Sequence, residues 1–118
     1  MSQVADELFA ISQRHDIKVI DKDVLKNLIS LVIAMFEKKK TKKGTFFSPK
    51  KITKDDCPLL KKRTEALLDA VSRIADQRLV GMKNDVSMLW SGICDGKYPR
   101  TWFKTLERII VTYVDYMR

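Results

Sequence analysis

Residues 22–40 read Lys-Asp-Val-Leu-Lys-Asn-Leu-Ile-Ser-Leu-Val-Ile-Ala-Met-Phe-Glu-Lys-Lys-Lys, and the fold class turns on them. On a helix, Val24, Leu25, Leu28, Ile29, Leu31, Val32, Ile33, Met35 and Phe36 cover most of the circumference. Lys22, Asp23, Lys26, Asn27 and Ser30 are left as a narrow polar strip. A helix that is apolar nearly all round must be surrounded by other elements, so the stretch predicts a central helix over 22–40 in a helical bundle. Asp21 is placed to cap it, and Lys38, Lys39 and Lys40 meet the negative end of its dipole.

Working towards the amino terminus, Val4, Leu8 and Ile11 recur at helical spacing with Ala5 and Phe9, which predicts a helix from Ser2 to about Arg14. Ser2 is a capping residue, and Asp6 and Glu7 lie near the positive end of that helix. His15-Asp16 reads as its exit. Ile17, Val19 and Ile20 favour an extended chain, in a run too short to build a sheet alone.

Towards the carboxyl terminus, Asp55 or Asp56 opens a third helix with Pro58 in its first turn. Its stripe of Leu60, Leu67, Leu68, Val71, Ile74, Ala75 and Leu79 carries it to about Val80, where Gly81 ends or bends it. Asn84 or Asp85 caps a short fourth helix, from Val86 to about Cys94, and Asp95-Gly96 forms a turn. Pro99 and Thr101 open a fifth helix with the cleanest stripe: Trp102, Phe103, Leu106, Ile109, Ile110, Tyr113, Val114 and Met117. Trp90, Trp102, Phe103 and Tyr113 fall on apolar faces and are expected in the core, with Tyr98 and Tyr116 outside it.

The expected fold is therefore all-α: a small single-domain bundle of about five helices spanning 1–118, with a long basic loop, 41–56, between helices 2 and 3. Four glycines and three prolines in 118 residues fit long continuous elements better than a many-turned β architecture.

Charge is concentrated in that loop. Lys38, Lys39, Lys40, Lys42, Lys43, Lys50, Lys51 and Lys54 occupy one window without a carboxylate. The remaining 15 basic residues balance the 15 acidic ones, so the block accounts for the whole net charge of +8. A row of lysines releases condensed counterions from a polyanion without needing exact geometry. Phe46 and Phe47 sit inside the block. Consecutive aromatics in a polar loop either stack on unpaired bases or fold back as a lid on the core.

Ser48-Pro49-Lys50-Lys51 resembles the Ser-Pro-Lys-Lys turn repeated in linker-histone and related chromatin tails. That resemblance, over four residues and once, implies binding to AT-rich minor grooves. The same residues are similar to a proline-directed kinase site, and Lys39-Lys40-Thr41-Lys42 fits a basic nuclear-localisation pattern. Lys61, Lys62 and Arg63 at the start of the third helix, and Lys97 and Arg100 near the start of the fifth, extend the candidate phosphate-binding set.

Catalytic and metal chemistry find little support. One histidine excludes a zinc site with two or three histidine ligands, and Cys57 and Cys94 lack Cys-x-x-Cys spacing. There is no Gly-rich phosphate loop and no Gly-x-Ser-x-Gly. The two cysteines are expected as reduced thiols within a cell, because the amino terminus is unlike a secretory or transit peptide. The longest apolar run, Leu31 to Phe36, is far below a membrane span.

The sequence thus leads to a non-catalytic nucleic-acid-binding accessory protein, DNA or RNA, without cofactor or metal, of viral, phage or chromatin-associated type. It would be cytoplasmic, or nuclear in a eukaryotic or viral setting. The alternative is a protein-interaction bundle or homodimer whose basic loop meets an acidic partner. A weaker third reading lays the loop on anionic membrane.

Overall fold

The computed structural model describes residues 2–42, 44–93 and 99–118, with the backbone alone described at 2–5, 45, 46 and 99. Among these, five α-helices and one two-stranded sheet follow in order: α1 (Ser2–Ser12), α2 (Val19–Met35), β1 (Phe36–Thr41), β2 (Gly44–Pro49), α3 (Cys57–Ser72), α4 (Val80–Gly92) and α5 (Pro99–Met117). The helical bundle expected from the sequence is observed. Its principal extents of 38 × 37 × 19 Å make it a thick disc.

α2 packs against α3, α3 against α4, α4 against α5, and α5 closes back on α1. α2 buries Val24, Leu25, Leu28, Leu31, Val32 and Met35, as its crowded apolar pattern requires. α5 contributes Trp102, Phe103, Leu106, Ile109, Ile110, Tyr113 and Val114 to the same core. Each fully buried aliphatic or aromatic side chain is worth roughly 1.5–3 kcal/mol of transfer free energy, so these two helices are the spine of the fold.

Element boundaries differ from the sequence expectation at three places. α2 begins at Val19, so Val19 and Ile20 are helical rather than extended, and Asp21 lies in the first turn instead of capping. α3 stops at Ser72 rather than near Val80. Asp76 then accepts the Arg78 backbone N–H at 2.9 Å and opens a 3₁₀ turn, Gln77–Leu79, that leads directly into α4. A short carboxylate offering itself to the backbone competes with helix continuation, which is why the leucine stripe is cut in two here. α4 therefore starts at Val80, six residues before the expected Val86, and Gly81 lies inside its first turn.

The largest departure is at the end of α2. The helix ends at Met35, and Phe36 turns to extended geometry (φ −124°, ψ 148°). The chain forms an antiparallel hairpin with Phe36 opposite Pro49, Lys38 opposite Phe47, Lys39 opposite Phe46 and Thr41 opposite Gly44. The expected irregular segment 41–56 is thus half strand. The cause is tertiary: as a strand, the hairpin buries Phe36 against Phe103 (centroids 5.0 Å apart, 63° between planes) and stacks Phe47 on Phe9 (5.4 Å, 6°). Aromatic burial of that size outweighs the few tenths of a kcal/mol per residue by which lysine favours helix.

Two aromatic placements also change. Trp102, Phe103 and Tyr113 are buried as expected, but Trp90 is 37% exposed and lies under the Lys61 ammonium at 4.7 Å. Tyr116, expected outside, packs on the core and donates its hydroxyl to the Asp21 carboxylate at 2.9 Å. Cys57 is disulfide-bonded, where the sequence favoured a reduced thiol. The chain's other cysteine, Cys94, lies outside the described residues, as does Tyr98.

Candidate nucleic-acid interface

The hairpin places the lysine block. β1 carries Lys38, Lys39 and Lys40, all exposed, and Lys42 follows in the turn. Gly44 closes that turn at φ +128°, a conformation that L side chains rarely adopt, and Thr41 donates its hydroxyl to the Gly44 carbonyl at 3.0 Å. At the base, Lys50 N–H donates to the Met35 carbonyl at 2.9 Å, which pins the outgoing strand to the end of α2. The lysines therefore ride on a ribbon fixed at one end, about 20 Å long for six residues per strand. This replaces a floppy loop by a directional arm.

Of the two phenylalanines, Phe47 is a core residue, 8% exposed and stacked on Phe9. Its face is not free to stack on a base. Phe46 holds the register position opposite Lys39, and its side chain lies outside the described set. Ser48 is half-buried opposite Glu37, whose carboxylate interrupts the basic strand near its base.

Beyond the hairpin, Lys50, Lys51 and Lys54 are exposed on the link to α3. The Thr53 N–H donates to the Asp56 carboxylate at 2.9 Å and so starts a 3₁₀ turn, Lys54–Asp56, ahead of α3. Lys50, Lys51 and Arg63 line one shallow recess together with Ile33, Ile52 and Leu59. Arg63 is committed elsewhere, since its guanidinium donates to the Ser30 carbonyl on α2 at 2.9 Å. Lys61 turns to the opposite side of α3, over Trp90, so the Lys61-Lys62-Arg63 run does not act as one patch. Lys62 is exposed. Arg100 is exposed at the start of α5, one turn before Phe103, and so stands near the hairpin base where Phe103 meets Phe36. Lys43 and Lys97 lie outside the described residues.

One regularity was not visible in the sequence. Every ion pair among the described residues is made by an arginine: Arg14–Asp16, Arg73–Asp23, Arg78–Asp76, Arg108–Asp85, Arg118–Glu7 and Arg118–Asp115. No lysine of the described set stands in one. The planar guanidinium fork suits fixed pairing, whereas the ammonium on its flexible stem stays hydrated. The hairpin cations are thus chemically uncommitted.

A cleft of about 620 Å³ opens where the hairpin base meets α1 and α2. Its apolar lining comes from Phe9, Ile33, Phe36 and Phe47, and its rim carries Asp6, Glu37, Lys38 and Lys50. Among the described residues, no three His, Cys, Asp or Glu side chains gather as a metal site. His15 is exposed just past α1. No described helix is long and apolar enough to cross a membrane.

Comparison with protein-family models, with characterised proteins and with solved structures finds no match to this chain.

Proposed function

We propose that this protein is a non-catalytic nucleic-acid-binding accessory factor whose contact element is the Phe36–Pro49 hairpin. The observation that carries the reading is the set Lys38, Lys39, Lys40 and Lys42: exposed, outside any ion pair, and held on one pinned ribbon. A phosphate backbone recruits such cations by counterion release with little sequence discrimination. Lys50, Lys51, Lys54 and Arg100 flank the ribbon and lengthen the contact; Lys61 and Arg63, engaged within the fold, contribute less.

The test is a titration of the intact protein with labelled DNA and RNA at two salt concentrations. Affinity should fall steeply with salt, and replacing the four hairpin lysines by glutamine should remove most of it. Equal affinity of that variant and the wild type would sink the proposal.

A second reading, a docking module for an acidic protein, is favoured by Ile33 and Leu59, aliphatic residues 51% and 50% exposed beside the lysine-bearing segment. Competition between an acidic amphipathic peptide and nucleic acid would separate the two.

A further inference from the structure

The cleft at the foot of the hairpin has a composition that a purely phosphate-binding arm does not need. Its floor is aromatic: the Phe9 and Phe47 rings stack at 5.4 Å and 6°, and Phe36 packs edge-on to Phe103 behind them. Ile33 closes one side with half its surface open to solvent. Two carboxylates, Asp6 and Glu37, stand on the rim among the lysines, and neither is held by an ion pair. An anion-binding arm would be stronger without them.

We infer that this cleft receives one unpaired nucleobase from a single strand lying along the hairpin. This inference rests on the nucleic-acid reading of the hairpin and specifies its substrate as single-stranded rather than duplex. Each component of the cleft matches one part of a nucleotide. The open part of the apolar lining, Ile33 and the half-buried Phe9, offers van der Waals contact to a planar ring, which is sequence-tolerant. Asp6 and Glu37 are pure acceptors and suit the amino and imino donors on the Watson–Crick edges of guanine, cytosine or adenine. Lys38 and Lys50, on the same rim, are placed for the phosphates on either side of the inserted base. A paired base cannot enter without leaving its stack, so a duplex forgoes this contact.

The charge pattern gives the experiment its discriminating power. Under phosphate binding alone, neutralising Asp6 and Glu37 removes repulsion and tightens every oligonucleotide alike. Under base insertion, the same change weakens base-bearing strands relative to abasic ones. Affinities would be measured by fluorescence anisotropy at low salt for three probes of equal phosphate number: a mixed-sequence single strand, the same strand made abasic throughout, and a duplex. Proteins would be the wild type, the Asp6→Asn/Glu37→Gln variant and the four-lysine glutamine variant.

The wild type should prefer the base-bearing strand over the abasic strand by about tenfold, the order expected of one base held by apolar contact and charge-assisted hydrogen bonds. Asp6→Asn/Glu37→Gln should cut that ratio to roughly threefold or less while holding or raising abasic affinity, since two charge-assisted hydrogen bonds are lost. Because both changed residues are exposed, unfolding does not confound the result, and a thermal melt of the variant checks it. Equal wild-type affinity for base-bearing and abasic strands, with binding still dependent on the hairpin lysines, would overturn base insertion and leave the hairpin reading standing. Tighter binding of the duplex than of the single strand would also overturn it. Failure to bind any probe would end both readings. Displacement of no probe, but saturable binding of an acidic amphipathic peptide blocked by Ile33→Glu, would assign the cleft to a protein partner instead.

Discussion

The arginines near the start of α2 and the lysines beyond its end differ in what they contact. At its amino-terminal end, Arg14, Arg78 and Arg118 each close on a carboxylate, at 2.8, 2.7 and 2.8 Å. Arg14 also donates to the Met117 carbonyl at 2.8 Å, and Arg78 lies 4.8 Å over the Tyr116 ring. Within that collar, the buried Tyr113 hydroxyl donates to the Asp21 carbonyl at 2.8 Å and Tyr116 to the Asp21 carboxylate. About 25 Å away, at the other end of a 17-residue helix, the hairpin carries Lys38, Lys39, Lys40 and Lys42 with no ion-pair partner. At one end, Arg14 and Arg118 link α1 to the end of α5 while Tyr113 and Tyr116 link α5 to α2; at the other, the lysines make no ion pair among the described residues. The contrast separates cations that pair within the chain from cations that do not, which net charge alone cannot do.

The sharpest way to break this contrast is to unfasten the lysine arm. Phe47→Ala removes the ring that stacks on Phe9 and should cost about 3 kcal/mol, read as a lower urea midpoint or as early hydrogen exchange confined to 36–49. If the hairpin is only an appendage, the loss will appear in exchange and not in global unfolding. Replacing Lys38, Lys39, Lys40 and Lys42 with glutamine should weaken nucleic-acid binding about a hundredfold at low salt and flatten its salt dependence by roughly three units of slope. Thermal stability should not move, because these side chains stabilise nothing within the chain.

The collar predicts the reverse behaviour. Tyr113→Phe leaves the Asp21 carbonyl without its buried donor and should lower stability by roughly 1–2 kcal/mol with binding unchanged, measured by urea denaturation and anisotropy on the same preparation. Gly44→Ala forces a side chain onto a φ of +128° and should cost about 1 kcal/mol, felt in hairpin exchange rates.

The smallest effects are in pH. Burial pushes the Tyr113 hydroxyl above the usual tyrosine range, and burial with the Asp21 hydrogen bond raises Tyr116 as well. In both cases the folded state holds its proton more tightly than the unfolded chain. Their contribution is therefore complete below about pH 10 and is lost as pH rises through the raised folded values. Asp76 works in the opposite sense. Its hydrogen bonds to Arg78 lower it to about 2, so its contribution is present above the unfolded value and disappears as pH falls through about 2. Asp76 and Arg78 are solvent-screened, so the alkaline loss should be the larger in a melting-temperature series.

The helices were legible because their pattern is redundant. α5 repeats its apolar residues over five turns, and α2 buries Val24, Leu25, Leu28, Leu31, Val32 and Met35, although it packs chiefly on α3 and leaves Ile33 half-exposed instead of being surrounded. The hairpin was not legible. Phe36-Glu37-Lys38-Lys39-Lys40 continues a helical pattern locally, and only the distant Phe9 and Phe103 make the extended form pay. Trp90 was misplaced for a related reason: α4 is short and touches neighbours on two sides, so a bulky ring at its margin finds Lys61 instead of the core. The disulfide at Cys57 had no local signature either, since bridging depends on Cα separation in space and not on spacing along the chain.

The sequence by itself determined the helical class, the site of the charge excess and the residue types available to meet a polyanion, because periodicity and composition are local properties. The tertiary structure alone decided that Lys38, Lys39, Lys40 and Lys42 ride on a pinned β-hairpin, that Phe47 belongs to the core, that the ion pairs among the described residues are made by arginines, and that an aromatic-lined cleft with two carboxylates on its rim opens at the foot of that hairpin. Each of those depends on which surfaces meet across long stretches of chain, where burial energy outweighs local preference.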